Sequence, residues 1–315
     1  MTRVAVLDDY QGVALTADWS EVKAKAEVVV FRDTLADEDA IVGRLQDFEI
    51  VCLMRERTPF TEPLIARLPK LRLIVTTGMR NAAIDVAAAK ARGIIVCGTA
   101  GSGVSTVELT WALILALARR IPTEDAGMRH GAWQSTVGIG LAGKTLTLLG
   151  LGRIGQAVAK IGQAFGMRLL AWSQNLTAER AAEAGATLVG REAAFAEADV
   201  LSIHLVLSQR TRGLVGTDLL GRMKPTALLI NTSRGPIVEQ AALLAALQAG
   251  RPGGAGLDVY DREPLPAEHP LRRLPNVVLT PHVGYVTQEN YAVFYRETVE
   301  DVLAFLAGKP VRMID

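Results

Sequence analysis

Short apolar runs alternate with helical patterns along almost the whole chain, and this alternation constrains the fold more than any other feature. A first series of runs covers residues 4–7, 28–31, 50–53, 73–75 and 94–96, with helical patterns such as 37–45 and 61–68 between them. Short apolar runs of three or four residues separated by helices are typical of βαβ units, whose strands pair in parallel. The N-terminal part is therefore predicted to form an α/β sheet.

A second series of apolar runs begins further along the chain and indicates a second sheet. It covers residues 145–149, 169–172, 200–203, 228–230, 256–259 and 277–279. Two complete sheets imply two domains, which agrees with a length of 315 residues. The long helices predicted at 105–121, ended by Pro122, and at 287–306 then become the two crossings between domains. We predict one domain from 1–101 plus 287–315 and another from 102–286.

A glycine-rich loop, Gly150-Leu-Gly-Arg-Ile-Gly155, lies between the predicted strand 146–149 and the predicted helix 154–165. Gly150 permits a tight turn, Gly152 lets a pyrophosphate approach the backbone, and Gly155 lets the helix pack against the sheet. The helix N-terminus, with Arg153 and Ile154, supplies an anion site. The loop therefore predicts dinucleotide binding, against the alternative of a plain glycine-rich turn.

The residue after the next strand normally decides between NAD and NADP. An acid there accepts hydrogen bonds from the adenosine ribose and repels a 2′-phosphate. The strand ending at Trp172 is followed by Ser173 instead. The sequence leaves NAD and NADP as equal alternatives.

Arg234, Glu263 and His282 each follow a predicted strand in this second sheet. An Arg binds a carboxylate through two parallel hydrogen bonds, a His donates a proton to a ketone oxygen, and a Glu stabilises the charged His. Open α/β sheets place their sites beyond such strand ends. The three residues together predict chemistry on a 2-oxoacid.

Four motifs in this order resemble those of the D-isomer-specific 2-hydroxyacid dehydrogenase family, which includes phosphoglycerate dehydrogenases and glyoxylate/hydroxypyruvate reductases. They are Gly150 to Gly155, Asn231-Thr-Ser-Arg-Gly-Pro-Ile-Val238, Gly256-Leu-Asp-Val-Tyr260 with Glu263-Pro-Leu-Pro266, and Thr280-Pro-His-Val-Gly284. The resemblance implies two Rossmann/flavodoxin-like, doubly wound parallel-sheet domains with a ligand cleft between them. The chain ends would form the substrate domain and the middle would bind NAD or NADP, with Thr232 and Asp258 among the cofactor contacts.

A second set of substrate-binding residues is predicted after two strands of the first sheet. Arg55 and Arg57 follow one strand, and Gly78, Met79 and Arg80 follow another. In the resembled family the second loop has a further Gly where this chain has Arg80, and its amides hold the substrate carboxylate. The three arginines predict a substrate with a second anionic group, although surface arginines beside loops are also common.

We therefore predict an NAD(P)-dependent oxidoreductase that interconverts a D-2-hydroxyacid and its 2-oxoacid, with D-3-phosphoglycerate as the narrower candidate. The alternative is a non-catalytic dinucleotide-sensing module like the corepressor relatives of this family. The sequence does not name the acid.

Charge and composition limit the partners and the compartment. A net charge of +1 without a basic stripe argues against nucleic acid, and no apolar run reaches membrane-spanning length. Cys52 and Cys97 lie in apolar runs typical of buried free thiols, which favours a reducing cytoplasm. We predict no metal site. The resemblance favours a homodimer, for which the helix 107–118 and Trp133 are alternative interface or core elements.

Overall fold

A computed structural model describes all 315 residues of the chain. The chain forms two compact units, Met1–Ser102 with Val286–Asp315, and Gly103–Tyr285. Each boundary lies one residue from the one that the sequence predicts. The chain thus leaves the first unit once and returns to it for its last thirty residues.

The first unit contains a five-stranded parallel sheet. Its strands are β1 (Thr2–Val6), β2 (Ala26–Val30), β3 (Ile50–Leu53), β4 (Leu73–Thr76) and β5 (Ile95–Gly98), in the order β2-β1-β3-β4-β5. This is the flavodoxin-like order, which reverses direction between β1 and β3. All residues of β3 and β4 are buried, as continuous apolar strands covered on both faces should be.

Four helices connect these strands, and three of them begin at a capping side chain. They are α1 (Ser20–Lys23), α2 (Glu38–Leu45), α3 (Glu62–Ala66) and α4 (Val86–Ala91). The side chains of Asp37, Thr61 and Asp85 accept hydrogen bonds from the first-turn amides of α2, α3 and α4. Such caps satisfy N–H groups that have no partner within the helix.

The second unit contains a seven-stranded parallel sheet. Its strands are β6 (Thr145–Leu149), β7 (Arg168–Trp172), β8 (Thr187–Leu188), β9 (Val200–Ile203), β10 (Leu228–Asn231), β11 (Gly254–Leu257) and β12 (Val277–Leu279), in the order β12-β11-β10-β9-β6-β7-β8. Counted from β6, these strands have the order of the Rossmann fold. The direction of the strand order reverses between β6 and β9. The prediction of two doubly wound parallel-sheet domains is confirmed.

Seven helices belong to the second unit. They are α5 (Val104–Ala118), α6 (Ile121–Arg129), α7 (Arg153–Ala164), α8 (Ala178–Glu183), α9 (Arg191–Ala196), α10 (Thr217–Arg222) and α11 (Gln240–Gln248). The prediction that Pro122 ends a helix over 105–121 is wrong. The long helix ends at Ala118, Arg120 adopts a left-handed conformation with φ of 54°, and Pro122 lies in the first turn of α6. Proline is tolerated there because a first-turn N–H has no helical partner.

Helix α5 packs directly on the sheet of the second unit. A Cβ added to Gly256 would lie 3.0 Å from the Cβ of Leu113, so glycine in β11 is what permits the close approach of the helix. Leu113, Ile114 and Leu117 are buried in the core. The apolar character of α5 is therefore explained by the core of its own unit.

The last helix, α12 (Gln288–Leu306), returns the chain to the first unit. The tail that follows it pairs with β5, since the Gly98 amide donates to the Arg312 carbonyl over 3.0 Å and the Ile314 amide to the Val96 carbonyl over 2.8 Å. Although α12 is the longest helix, neither it nor any other helix is long and apolar enough to cross a membrane.

A buried ion pair fixes this tail to α12. Arg312 Nε lies 2.9 Å from Oδ1 of Asp301, whose side chain is fully buried. Burial raises the pKa of the Asp301 carboxyl to about 7, against the opposing effect of Arg312. Arg312 also reaches Glu300 over 2.9 Å.

Replacing Arg312 with Ala should lower the free energy of unfolding by on the order of 3 kcal/mol, because it leaves a buried carboxylate without its counter-charge. Since Asp301 is protonated below its raised pKa, the loss should be smaller at about pH 6 than at about pH 8.5. Denaturant unfolding at both pH values measures this loss in the free energy of unfolding. The control is Lys70→Ala, which removes an exposed pair with Asp47 worth about 1 kcal/mol or less. Equal losses for the two variants would contradict the buried-pair account.

Candidate active site

Three neighbouring parallel strands bring the predicted catalytic residues together. Strand β10 pairs with β11 and β11 pairs with β12, all in parallel, so their carboxyl ends lie at one edge of the sheet. Arg234 follows β10, Glu263 lies in the loop after β11, and His282 lies in the loop after β12. All three belong to the second unit.

Glu263 and His282 form a direct hydrogen-bonded pair. Nδ1 of His282 lies 2.6 Å from Oε2 of Glu263, and Oε1 of the same carboxylate accepts from the Tyr260 amide over 2.9 Å. The His282 side chain is 23% exposed and the Glu263 side chain 34%, so the pair is partly covered but open to a ligand. Because Nδ1 is occupied by the carboxylate, Nε2 is the imidazole nitrogen left for a reaction.

Asp258 holds the turn that carries His282. Its Oδ1 accepts from the Thr280 hydroxyl over 2.6 Å and from the Val283 amide over 2.8 Å, while Oδ2 accepts from the Gly284 amide over 2.9 Å. Burial raises the pKa of this carboxyl, and these hydrogen bonds oppose the rise. His282 itself has a left-handed backbone with φ of 53°, which is uncommon outside glycine. The bonds to Asp258 therefore stabilise the conformation that presents the imidazole.

The Asn231 side chain shapes the loop that carries Arg234. Its amide nitrogen donates to the Arg234 carbonyl over 3.0 Å, and its oxygen accepts from the Ser233 amide over 3.0 Å. A Cβ on Gly235 would overlap the backbone of Tyr260, so glycine lets this loop contact the loop after β11. One Arg234 nitrogen donates to the Ser233 carbonyl over 2.7 Å.

The glycine loop has the geometry that a dinucleotide requires. Gly150 has φ of 98°, and a Cβ there would lie 2.7 Å from the His204 carbonyl oxygen. A Cβ on Gly155 would overlap the Gly150 carbonyl, whereas one on Gly152 would meet no atom within 4 Å. Gly152 caps α7 without a side chain, so its open surface and the first amides of α7 fit a phosphate group.

Two predicted cofactor residues have other partners within the second unit. The hydroxyl of Thr232 lies 2.8 Å from that of Thr110 on α5, and both residues are buried. Asp258 accepts the three local hydrogen bonds described above. Ser173 is half-buried directly after β7.

In the first unit, Arg55 and Arg57 lie beyond β3 and have structural contacts. Arg55 Nη1 donates to the Thr77 carbonyl over 2.9 Å. Arg57 donates to the Asp8 carbonyl over 2.5 Å, and its guanidinium lies 4.3 Å from the centre of the Tyr10 ring. Arg57 is thus held where the strand order reverses between β1 and β3, whereas Arg55 is held on the side of β4.

The loop after β4 presents the remaining predicted substrate residues. Gly78 has φ of 88°, and its amide donates to the Thr99 hydroxyl over 3.0 Å. A Cβ on Gly78 would overlap the Arg55 guanidinium. Met79 and Arg80 are exposed.

Sequence reasoning missed the residues that position the loops after β11 and β12. Tyr260 is buried, and its hydroxyl lies 3.0 Å from the Leu257 carbonyl and 2.8 Å from that of Thr280, which links the ends of β11 and β12. Thr106 on α5 donates to the Gly284 carbonyl over 3.1 Å. Only the position of Tyr260 directly after the predicted strand 256–259 pointed to such a role.

The strand order, the glycine loop and the His–Glu pair define a two-domain α/β oxidoreductase of the dinucleotide-binding class. Residues 111–284 match the family model described as "D-isomer specific 2-hydroxyacid dehydrogenase, NAD binding domain". The chain belongs to this family, whose members are NAD(P)-dependent oxidoreductases. The predicted family, enzyme class and cofactor class are confirmed.

Several relatives are similar to this chain over most of its length. A glyoxylate reductase from Aeropyrum pernix is 42% identical over 256 residues, which are 78% of this chain and 76% of that protein. A D-3-phosphoglycerate dehydrogenase from Synechocystis is 36% identical over 99% of this chain but only 55% of its own length. The structure of a phosphoglycerate oxidoreductase from Vibrio cholerae superposes with a TM-score of 0.92 at 41% identity, covering 98% of this chain and all of that one.

Proposed function

We propose that this protein reduces a 2-oxoacid to the D-2-hydroxyacid, and catalyses the reverse reaction, with Arg234, Glu263 and His282 as the catalytic residues. The observation that carries the proposal is the 2.6 Å contact between His282 and Glu263, on loops at the same sheet edge as Arg234. A planar guanidinium beside an acid-stabilised imidazole matches the carboxylate and the adjacent ketone of a 2-oxoacid.

Each catalytic residue has a distinct task in this proposal. Arg234 binds the substrate carboxylate through paired hydrogen bonds and polarises the neighbouring ketone. Protonated His282 donates from Nε2 to the ketone oxygen, while Glu263 holds the Nδ1–H and stabilises the positive charge. The dinucleotide supplies the hydride when bound. In the oxidation direction, neutral His282 accepts the hydroxyl proton.

The cofactor is proposed to bind along the carboxyl end of the second sheet. Gly150, Gly152 and Gly155, with the α7 amides of Arg153 and Ile154, receive the pyrophosphate, and the open space at Gly152 supports this placement. Ser173 is proposed for the adenosine end. Thr232 and Asp258 are proposed to contact the nicotinamide end of the cofactor. Their local hydrogen bonds would fix their orientation toward it.

The first unit is proposed to contribute substrate specificity through Arg55, Arg57 and the loop Gly78, Met79 and Arg80. The positive charge of these loops supports a substrate with a second anionic group, for which 3-phosphoglycerate is the narrower proposal. Relatives of this chain include both phosphoglycerate dehydrogenases and glyoxylate reductases.

We also propose a homodimer in the cytoplasm. Exposed apolar side chains on helix α6 and beyond it, Ile121 at 52%, Met128 at 53%, Trp133 at 75% and Val137 at 93%, support this surface as the interface. The free, buried thiols of Cys52 and Cys97 are typical of a reducing compartment.

Replacing Arg234 with Ala should lower kcat/KM for every 2-oxoacid while cofactor affinity changes little, because the substrate carboxylate loses its partner. The loss of a charged partner costs on the order of 2 to 5 kcal/mol, or roughly 30-fold to several thousand-fold. Steady-state kinetics and cofactor titration measure the two effects. Arg234→Lys keeps the charge without the planar fork and should retain intermediate activity. Activity of Arg234→Ala within a few-fold of the parent would contradict this assignment.

Replacing Glu263 with Gln should restrict reduction to lower pH, because it keeps the size of the side chain and removes the charge that stabilises protonated His282. The pH profile of kcat/KM for reduction should decline at a lower pH than in the parent. Glu268→Gln, an exposed change in the same loop, is the matched control and should leave the profile unchanged. Identical profiles for Glu263→Gln and the parent would exclude the proposed pair.

The parent enzyme should prefer 3-phosphohydroxypyruvate to hydroxypyruvate by about tenfold or more in kcat/KM, the effect of one charge-assisted hydrogen bond. The two substrates differ only in the phosphate, so the comparison isolates that group. Arg80→Ala, an exposed change, should reduce the preference. Equal efficiency for the pair would reject the phosphoglycerate proposal and leave the wider activity in place.

A further inference from the structure

A pocket of about 380 Å³ lies in the second unit beside the glycine loop. Its lining residues come from the end of β7, the start of α9 and the loop after β9. They are Trp172, Gln174, Arg191, Leu205, Arg210, Thr211 and Leu214. The pocket therefore combines an apolar wall with two cationic side chains.

The backbone connects this pocket to the glycine loop. Strand β6 lies between β7 and β9, and the Gly150 amide donates to the Trp172 carbonyl over 2.8 Å. On the other side, a Cβ on Gly150 would lie 3.1 Å from the Leu205 amide nitrogen. This is the point at which the strand order reverses, where open α/β sheets bind ligands. The pocket thus flanks the proposed pyrophosphate site, with lining residues that follow both β7 and β9.

The two arginines in the pocket are available to an anion. Neither Arg191 nor Arg210 forms a salt bridge or a side-chain hydrogen bond within the chain, and no carboxylate lines this pocket. The acids Glu192 and Glu239 line a neighbouring pocket that Arg191 also borders. A guanidinium suits a phosphate because its planar N–H groups form paired hydrogen bonds.

The loop that presents Arg210 is internally braced. The Thr211 hydroxyl donates to the Val206 carbonyl over 2.7 Å and accepts from the Ser208 amide over 2.8 Å. Ser173 lies between Trp172 and Gln174, which both line the pocket, at the position where a carboxylate would repel a phosphate. The site thus takes positive charge from two elements, α9 and the loop after β9, and has no acid at the position that would oppose an anion.

We propose that this pocket binds the adenosine of NADP and that Arg191 and Arg210 recognise its 2′-phosphate, which makes NADP the preferred cofactor. Trp172, Leu205 and Leu214 provide the apolar surface for the purine. The proposal deepens the proposed dehydrogenase function and rests on it for the choice of ligand.

Calorimetric titration of the full chain with 2′,5′-ADP and with 5′-AMP tests the proposal, because these probes differ only in the 2′-phosphate and involve no reaction. The parent should bind 2′,5′-ADP at least about tenfold more tightly. Arg191→Gln and Arg210→Gln should each reduce this ratio several-fold, and the double variant should bring it near unity. Their affinity for 5′-AMP should stay unchanged, which also shows that the variants are folded.

Two further variants distinguish recognition of the 2′-phosphate in this pocket from a general effect of positive charge on the protein surface. Arg180→Gln removes an exposed arginine on α8 outside the pocket and should keep the parent ratio. Ser173→Asp should lower the ratio, because a carboxylate there repels the 2′-phosphate. Equal affinity of the parent for the two probes, or a ratio that survives in the double variant, would overturn the proposal.

The proposal of NADP preference and the proposal of dehydrogenase activity can fail independently of each other. Oxidation of NADH and NADPH at equal efficiency with a 2-oxoacid would retain the dehydrogenase and overturn NADP preference. Selective binding of 2′,5′-ADP without oxidation of either cofactor across a panel of 2-oxoacids would support the pocket and overturn the dehydrogenase.

Discussion

The parallel pairing of neighbouring strands is the constraint on which the site depends. Because β10, β11 and β12 run in the same direction and in register, the residues that follow them meet at one edge, although Arg234 and His282 are far apart in the chain. The same constraint places the glycine loop between the ends of β7 and β9. The glycine loop and the loops that carry Arg234, Glu263 and His282 therefore lie at one edge of the sheet, because the sheet is parallel throughout.

Buried polar side chains, rather than the strands, fix the conformations of the loops at this edge of the sheet. Asp258 fixes both amides that follow His282, and Asn231 fixes the turn before Arg234. Unpartnered buried polar groups are unfavourable, so each loop conformation that satisfies them is strongly preferred. The Asp258 carboxylate thus positions the loop that carries the His282 imidazole. The Asn231 amide does the same for the loop that carries the Arg234 guanidinium.

The sequence predicted the sheets, the glycine loop and the positions of Arg234, Glu263 and His282 after strands of the second sheet, because apolar runs and glycines act locally. It did not predict the partners of Asp258 or the bracing by Tyr260, which depend on contacts between loops that follow different strands. Those contacts are determined by distant partners rather than by local preference. The wrong prediction at Pro122 has a local cause instead, since proline fits both after a helix and in the first turn of the next one.

The return of the chain to its first unit has a consequence for biosynthesis. Residues Gly103–Tyr285 form a continuous unit, whereas the first unit needs α12 and the tail that pairs with β5. Domains generally fold as units while the chain is made. The central unit can therefore complete its fold on the ribosome first, while the N-terminal sheet waits for the last residues to emerge.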